Sequence, residues 1–251
     1  MLFQAIMSEQ KPSVLVFSDG SDSASAAAQW AQCFARTHGA TCSETPPAAS
    51  VPAALDLASK CEVDYLVCGL QSKPVGPVSI PDVDASLAAL MRRAPCPVWT
   101  VQPWAAGRDT RFSIAVVGVD PSPEACAAAR AAAGLLCRAD SMPRLCLVHG
   151  LDVHPAELAA ERPWSEVVAS MTIERHPWIE RLARELTESR VIVEVAVLPV
   201  FAPELIGGVA RRCHADFIAL GSGWRSESTA ASASPIVRQV VRASPCPILT
   251  A

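Results

Sequence analysis

Short apolar runs rich in Val, Ile and Leu alternate along the chain with stretches in which apolar residues recur every three to four positions. The runs predict strands at 13–18, 40–44 (the weakest), 64–69, 98–102, 112–119, 144–149, 190–198, 216–221 and 247–250. The periodic stretches predict helices at 23–37, 50–60, 84–93, 123–138, 168–188, 203–213 and 234–243. In the fifth of these, Ile179, Leu182, Ala183 and Leu186 fall at i, i+3, i+4 and i+7. The fourth opens with Ser122 as N-cap, Pro123 at its first position and Glu124 in its first turn. Pro74, Gly76, Pro77 and Pro81 mark a long stiff loop before the third. The strands are continuously apolar rather than alternating, which predicts a mostly parallel sheet covered by helices on both faces.

The same segments occur twice. A strand closing on an acid and a hydroxyl appears as Ser13-Val-Leu-Val-Phe-Ser-Asp19-Gly-Ser21 and as Ser113-Ile-Ala-Val-Val-Gly-Val-Asp120-Pro-Ser122. An Asp followed by an apolar strand ending in glycine appears at Asp64–Gly69 and Asp216–Gly221. A helix running into Pro-Cys-Pro appears at Ala94-Pro-Cys-Pro-Val98 and Ser244-Pro-Cys-Pro-Ile248. Asp19 and Asp64 are 45 residues apart, Asp120 and Asp216 are 96 apart, and the later spacings agree. The first copy is therefore about 51 residues short in its middle, the size of one strand–helix unit with its loops. This gives a shortened domain at 11–103, a linker at 104–110 and a complete domain at 111–251, each with its own sheet in series.

These segments resemble the universal stress protein family. The resemblance rests on Asp19-Gly20-Ser21 at the end of the first strand, on Ala-Asp-Phe-Ile-Ala-Leu-Gly-Ser at 215–222, and on the Pro-Cys-Pro phrase closing each copy. It implies two tandem open nucleotide-hydrolase-like α/β domains, the first lacking one strand–helix unit. It also implies a cytoplasmic stress-response role and pairing through the last strand. In a tandem chain, strands 98–102 and 247–250 would pair with each other as an intramolecular pseudo-dimer and cover two open edges. A homodimer of whole chains stays open beside it.

Nucleotide-binding members of that family carry Gly-x-x-Gly, nine residues, then Gly-Ser/Thr, which brings backbone N–H groups and a helix N-terminus up to phosphates. In the second copy the four slots hold Gly221, Trp224, Ser234 and Pro235. Trp224 is bulky where close approach is needed, and Pro235 has no N–H to donate. Asp120, Gly221, Gly223, Arg225 and Ser234 are the residues that would surround a nucleotide there. In the first copy Asp84, with Asp82 beside it, stands at the helix start where the last glycine would be, and would repel a triphosphate. No cofactor is expected, and ATP is considered for the second domain only. A rival resemblance, of Ser18-Asp-Gly-Ser-Asp-Ser23 to the pyrophosphate loop of ATP pyrophosphatases, has Asp19 where a glycine belongs. Serine N-caps after a strand-end acid explain both copies at once.

Charge removes other partners. With 21 basic and 25 acidic residues and no basic stripe, the chain lacks the field that draws nucleic acid or anionic membrane. No apolar stretch is long enough to span a bilayer. Residues 1–7 are too short, and lack the charge, for a signal peptide. Ten cysteines without a C-x-x-C pair read as buried free thiols, among them Cys33, Cys68, Cys126, Cys137 and Cys146. His149, Asp152 and His154 read as loop residues after a strand. Trp164, Trp178 and Trp224 read as packing residues, with an apolar ligand pocket the other use for them. No catalytic or metal-binding spacing occurs. The chain thus reads as non-enzymatic, acting through an unidentified protein partner or a small ligand, with a nucleotide switch on the second copy as the alternative.

Overall fold

The computed structural model describes residues 11–47, 49–75, 78–81, 83–137, 142–150, 176–198, 201–222 and 235–251. The first half runs β1 (Ser13–Phe17), α1 (Asp22–His38), β2 (Thr41–Glu44), α2 (Val51–Lys60), β3 (Tyr65–Gly69), β4 (Ser72–Val75), β5 (Val78–Pro81), α3 (Ala85–Arg93) and β6 (Val98–Val101). The second runs β7 (Ile114–Gly118), α4 (Pro123–Leu136), β8 (Arg144–Gly150), α5 (Pro177–Thr187), β9 (Ile192–Leu198), α6 (Ala202–Cys213), β10 (Phe217–Leu220), α7 (Pro235–Ala243) and β11 (Ile248–Thr250). The fold class is α/β with a mostly parallel sheet, as the apolar strand pattern requires.

Two separate sheets are not what forms. One sheet of nine strands runs β2-β1-β3-β6-β11-β10-β7-β8-β9, and every neighbouring pair is parallel except β6 with β11. That antiparallel pair joins the two closing strands, setting Leu249 opposite Trp99. The repeat survives as strand order on either side of the join: β7 sits between β8 and β10 as β1 sits between β2 and β3. The second half carries α5 and β9 in addition. The deficit of the first copy is therefore an outermost strand with its helix, at the far edge from the junction. Calorimetrically separate domains do not follow from the repeat, because each face of the sheet carries one apolar cluster drawing on both copies.

The junction is packed tightly on one face. Trp30, Phe34, Trp99, Phe112 and Phe217 are all buried there, with Trp30 and Trp99 ring centroids 4.9 Å apart and Phe112 and Phe217 4.8 Å apart. Two residues anchor the stretch 104–110 to this face. Pro103–Ala105 forms a single 3-10 turn, Ala105 and Thr110 are fully buried, and Thr110 donates to Thr37 Oγ1 at 2.9 Å. Gln102 donates across the junction to the Cys246 carbonyl at 2.8 Å.

The second aspartate of each repeat has a structural use. Asp64 accepts from the Ser13 N–H at 2.7 Å, and Asp216 accepts from Ser113 N–H at 2.7 Å and Ile114 N–H at 2.9 Å. Each ties the start of one central strand to the start of its neighbour, satisfying donors that no ladder partner reaches.

Two expectations are corrected. The stretch read as a stiff loop contains a short antiparallel hairpin, Ser72–Val75 against Val78–Pro81, outside the main sheet. A two-stranded ribbon tolerates Pro74 and Pro81 because only one edge of each strand must donate. The thiols are not uniformly buried: Cys68, Cys96, Cys146 and Cys246 are, Cys33, Cys42, Cys126 and Cys213 are half-buried, and Cys61 and Cys137 are exposed. The Ala-rich helices turn part of their small-residue surface to solvent, and Cys137 lies at the end of one, donating to the Ser189 carbonyl at 2.6 Å. No helix among the described residues is long and apolar enough to cross a membrane.

Candidate ligand site

In a sheet ordered like the second half, the strand ends on either side of the reversal leave a crevice, here between β7 and β8 on one side and β10 on the other. A cavity of about 310 Å³ lies there. Its floor is Gly118 and Val148, its walls are Ile206 from α6, Leu220 from β10 and Val237 from α7, and Asp120, Ser122 and His149 stand at its rim.

Local sequence places the rim. Ser122 caps α4 by accepting from Ala125 N–H at 3.2 Å, and Asp120 accepts from Ser122 N–H at 2.8 Å. The acid and the cap thus form one short turn, which Pro123 continues into the helix. His149, at the end of β8, holds the Val119 carbonyl with Nδ1 at 2.7 Å. Its ring meets Trp178 and His176 edge-on, with centroids 5.3 and 5.2 Å away. Burial, reinforced by the neighbouring His149, pulls the His176 pKa below its ordinary value.

Gly221 closes the crevice against α4. A Cβ there would fall 2.5 Å from Ala125 N and 2.7 Å from the Glu124 carbonyl carbon, so strand end and helix start touch backbone to backbone. Gly69 does the same in the first copy, where a Cβ would meet Ser23 O at 2.2 Å. This glycine is required by packing in both copies, whatever it does for a phosphate.

The corresponding crevice of the first copy is filled by its own side chains. Its cavity measures only about 10 Å³, room for a single water. Phe17 stands where the second copy has Gly118 and takes up the floor. Asp19 Oδ1 accepts from the Ser21 N–H at 3.0 Å and from its hydroxyl at 2.5 Å, and Oδ2 accepts from Gln71 Nε2 at 2.7 Å. Burial raises the Asp19 pKa, the bonds from Ser21 and Gln71 lower it, and the balance lies below the ordinary value. Asp84 caps α3 by accepting from Leu87 N–H at 2.7 Å, the anion-for-anion substitution expected at that helix start. Ser21 caps α1, so the segment 18–23 is occupied by its own capping bonds.

Of the residues expected around a nucleotide, Asp120 and Gly221 come together at the cavity. Gly223, Arg225 and Ser234 lie outside the described residues, as do Asp82, Asp152, His154, Trp164 and Trp224. Trp178 touches His149 beside the site rather than lining it. Gly118 is singled out by no motif in the sequence, and His149, expected in a loop, stands near the end of β8. Aligning the copies on Asp19 and Asp120 sets Phe17 against Gly118 two residues earlier, and that mismatch is the signal that separates a closed crevice from an open one.

The comparisons with known proteins agree with this fold. Residues 111–251, more than half of the chain and the whole of its second copy, match the model of the universal stress protein family. No curated protein matches the chain in sequence. The fold is similar to the crystal structure of a universal stress protein from Archaeoglobus fulgidus DSM 4304. That match has a TM-score of 0.69 at 12% identity, covering 96% of this chain and 98% of that one. It is also similar to a functionally unknown protein from Pseudomonas aeruginosa PAO1, with a TM-score of 0.55 at 16% identity, covering 96% and 82%.

Proposed function

The chain belongs to the universal stress protein family, and from that premise we propose that it is a non-catalytic stress-response protein working through ligand or partner binding at its second copy. In this reading the first copy is a closed scaffold that covers the inner edge of the second. One observation carries it: equivalent crevices measure about 310 Å³ in the second copy and about 10 Å³ in the first. The difference follows from Phe17 against Gly118, and from Gln71 filling the mouth of the first crevice. The open cavity is within the size range of small-molecule sites, roughly 300–1,000 Å³, and combines apolar walls with a few convergent polar groups.

Degenerate phosphate-binding positions favour a ligand other than ATP. Trp224 and Pro235 replace two glycines of the family's nucleotide loop. A nucleotide switch on the second copy is the second reading, favoured by Asp120 and Gly221 meeting at one cavity. The two readings separate when purified protein is denatured and the released small molecules are identified by mass spectrometry. Release of stoichiometric ATP or AMP, or a saturable ATP titration below millimolar concentration, overturns the first reading and establishes the second. Neither is expected.

A further inference from the structure

Resting on the reading that the second copy's cavity holds a ligand, we infer that this ligand is a compact apolar molecule with a hydrogen-bond-donating cationic head, such as an alkylammonium. The rim carries the chemistry. Asp120 brings a carboxylate, of which one oxygen accepts from Ser122 N–H and the other has no protein donor among the described residues. His149 faces a carbonyl with Nδ1, and a carbonyl only accepts, so that nitrogen carries the proton. In the neutral form of that tautomer Nε2 is the acceptor. Ser122 Oγ is itself engaged as an acceptor, taking the Ala125 N–H. Among the described residues lining the cavity Asp120 supplies the carboxylate, with one oxygen to spare, and a ligand head that is cationic and donates hydrogen bonds answers it.

Several groups that would welcome an anion are spent or directed elsewhere. The α4 N-terminus is met by Ser122 and carries Glu124 in its first turn. The α7 start is Pro235, without an N–H. Arg238, on the same helix, reaches away to the Val83 carbonyl of the first copy at 3.2 Å. No lysine or arginine lines the cavity among the described residues. Below the rim the walls are Val148, Ile206, Leu220 and Val237, which suit a ring and not a chain of phosphates. A cavity of about 310 Å³ sits at the small end of ligand sites, so the body is one or two fused rings.

Three probes with one body and different heads test this: tryptamine, indole and indole-3-propionate, titrated calorimetrically into the full chain, Asp120→Asn and Gly118→Phe. Tryptamine is expected to bind about five-fold more tightly than indole, the scale of one exposed ion pair, with indole-3-propionate weakest. Asp120→Asn is expected to bring tryptamine and indole to parity, and Gly118→Phe, with its circular dichroism unchanged, to abolish binding of all three. Indole-3-propionate binding as well as tryptamine, a preference that survives Asp120→Asn, or no binding by any probe overturns the inference about the head group. Gly118→Phe binding the probes as wild type does overturns the underlying reading that this cavity is the site.

Discussion

Gln71 donates its side-chain amide to the second carboxylate oxygen of Asp19 at 2.7 Å, closing the mouth of the first copy's crevice. In the second copy the position equivalent to Gln71 is Gly223, which has no side chain to donate. The acid that stands at the rim of an open cavity in one copy is consumed internally in the other.

This bond has a titration signature. Burial raises the Asp19 pKa, but the hydrogen bonds from Ser21 and Gln71 outweigh it, and the group lies below its ordinary value of 3.8. A depressed carboxylate contributes stability that is present above the unfolded-state pKa and is lost as pH falls through the folded-state value. Gln71→Leu is expected to move the Asp19 titration upward toward the ordinary value. It should also make stability at neutral pH fall closer to stability in acid. Carboxyl-carbon NMR titration reads the first effect and urea unfolding at two pH values the second; an unmoved Asp19 titration would contradict the assignment.

Gly69, Gly118 and Gly221, close-packed among the described residues, should rank by what a new methyl group meets. At Gly69 and Gly221 it meets backbone, at 2.2 and 2.5 Å, whereas at Gly118 it meets the side-chain ends of Ile206 and Leu220 at 2.6 and 2.8 Å. Backbone cannot swing aside, so Gly69→Ala and Gly221→Ala are expected to cost about 3 kcal/mol or more. Gly118→Ala is expected to cost about 1 kcal/mol, because Ile206 and Leu220 can change rotamer. Urea denaturation of the three variants checks the order.

Trp99 lies at the centre of the closing-strand pair, fully buried among Trp30, Phe34, Phe112 and Phe217. Trp99→Ala removes a large side chain bridging the two halves and is expected to cost about 3–5 kcal/mol. Because the loss falls on the contact between copies, thermal unfolding should change from one transition to two. A single transition with the full loss would mean that the halves are coupled elsewhere.

Thiol labelling should sort the cysteines by environment. Burial pushes the Cys68, Cys146 and Cys246 pKa values up to about 12, so their thiolate fraction at neutral pH is negligible. Cys61 and Cys137 are exposed. Labelling of native protein with a maleimide, mapped by peptide mass, is expected at Cys61 and Cys137 first, with Cys68, Cys146 and Cys246 modified only after denaturation. Burial also raises Cys137, which places it behind what its exposure alone would give.

Much of the architecture could be read from residue order. Ser122-Pro123-Glu124 announced the start of α4, and Ile179, Leu182 and Leu186 announced the buried face of α5, because capping and helical periodicity are local properties. The hairpin at Ser72–Val75 and Val78–Pro81 was not announced, since its prolines argue against strands in a sheet interior and are indifferent on an isolated ribbon. The candidate site was half visible. Asp120 and Gly221 came from the repeat, whereas His149, Ile206 and Val237 come from three different elements that no spacing connects.

By itself the sequence determined the strands, the helices, the repeat and the missing unit, because these follow from short-range patterns of burial and capping carried by neighbouring residues. Only the tertiary structure decided the antiparallel register of the join, which sets Leu249 opposite Trp99, and that one crevice stays open while its twin closes. Both outcomes depend on side chains far apart in the chain competing for the same space, and the volume left between them exists only after the layers have packed.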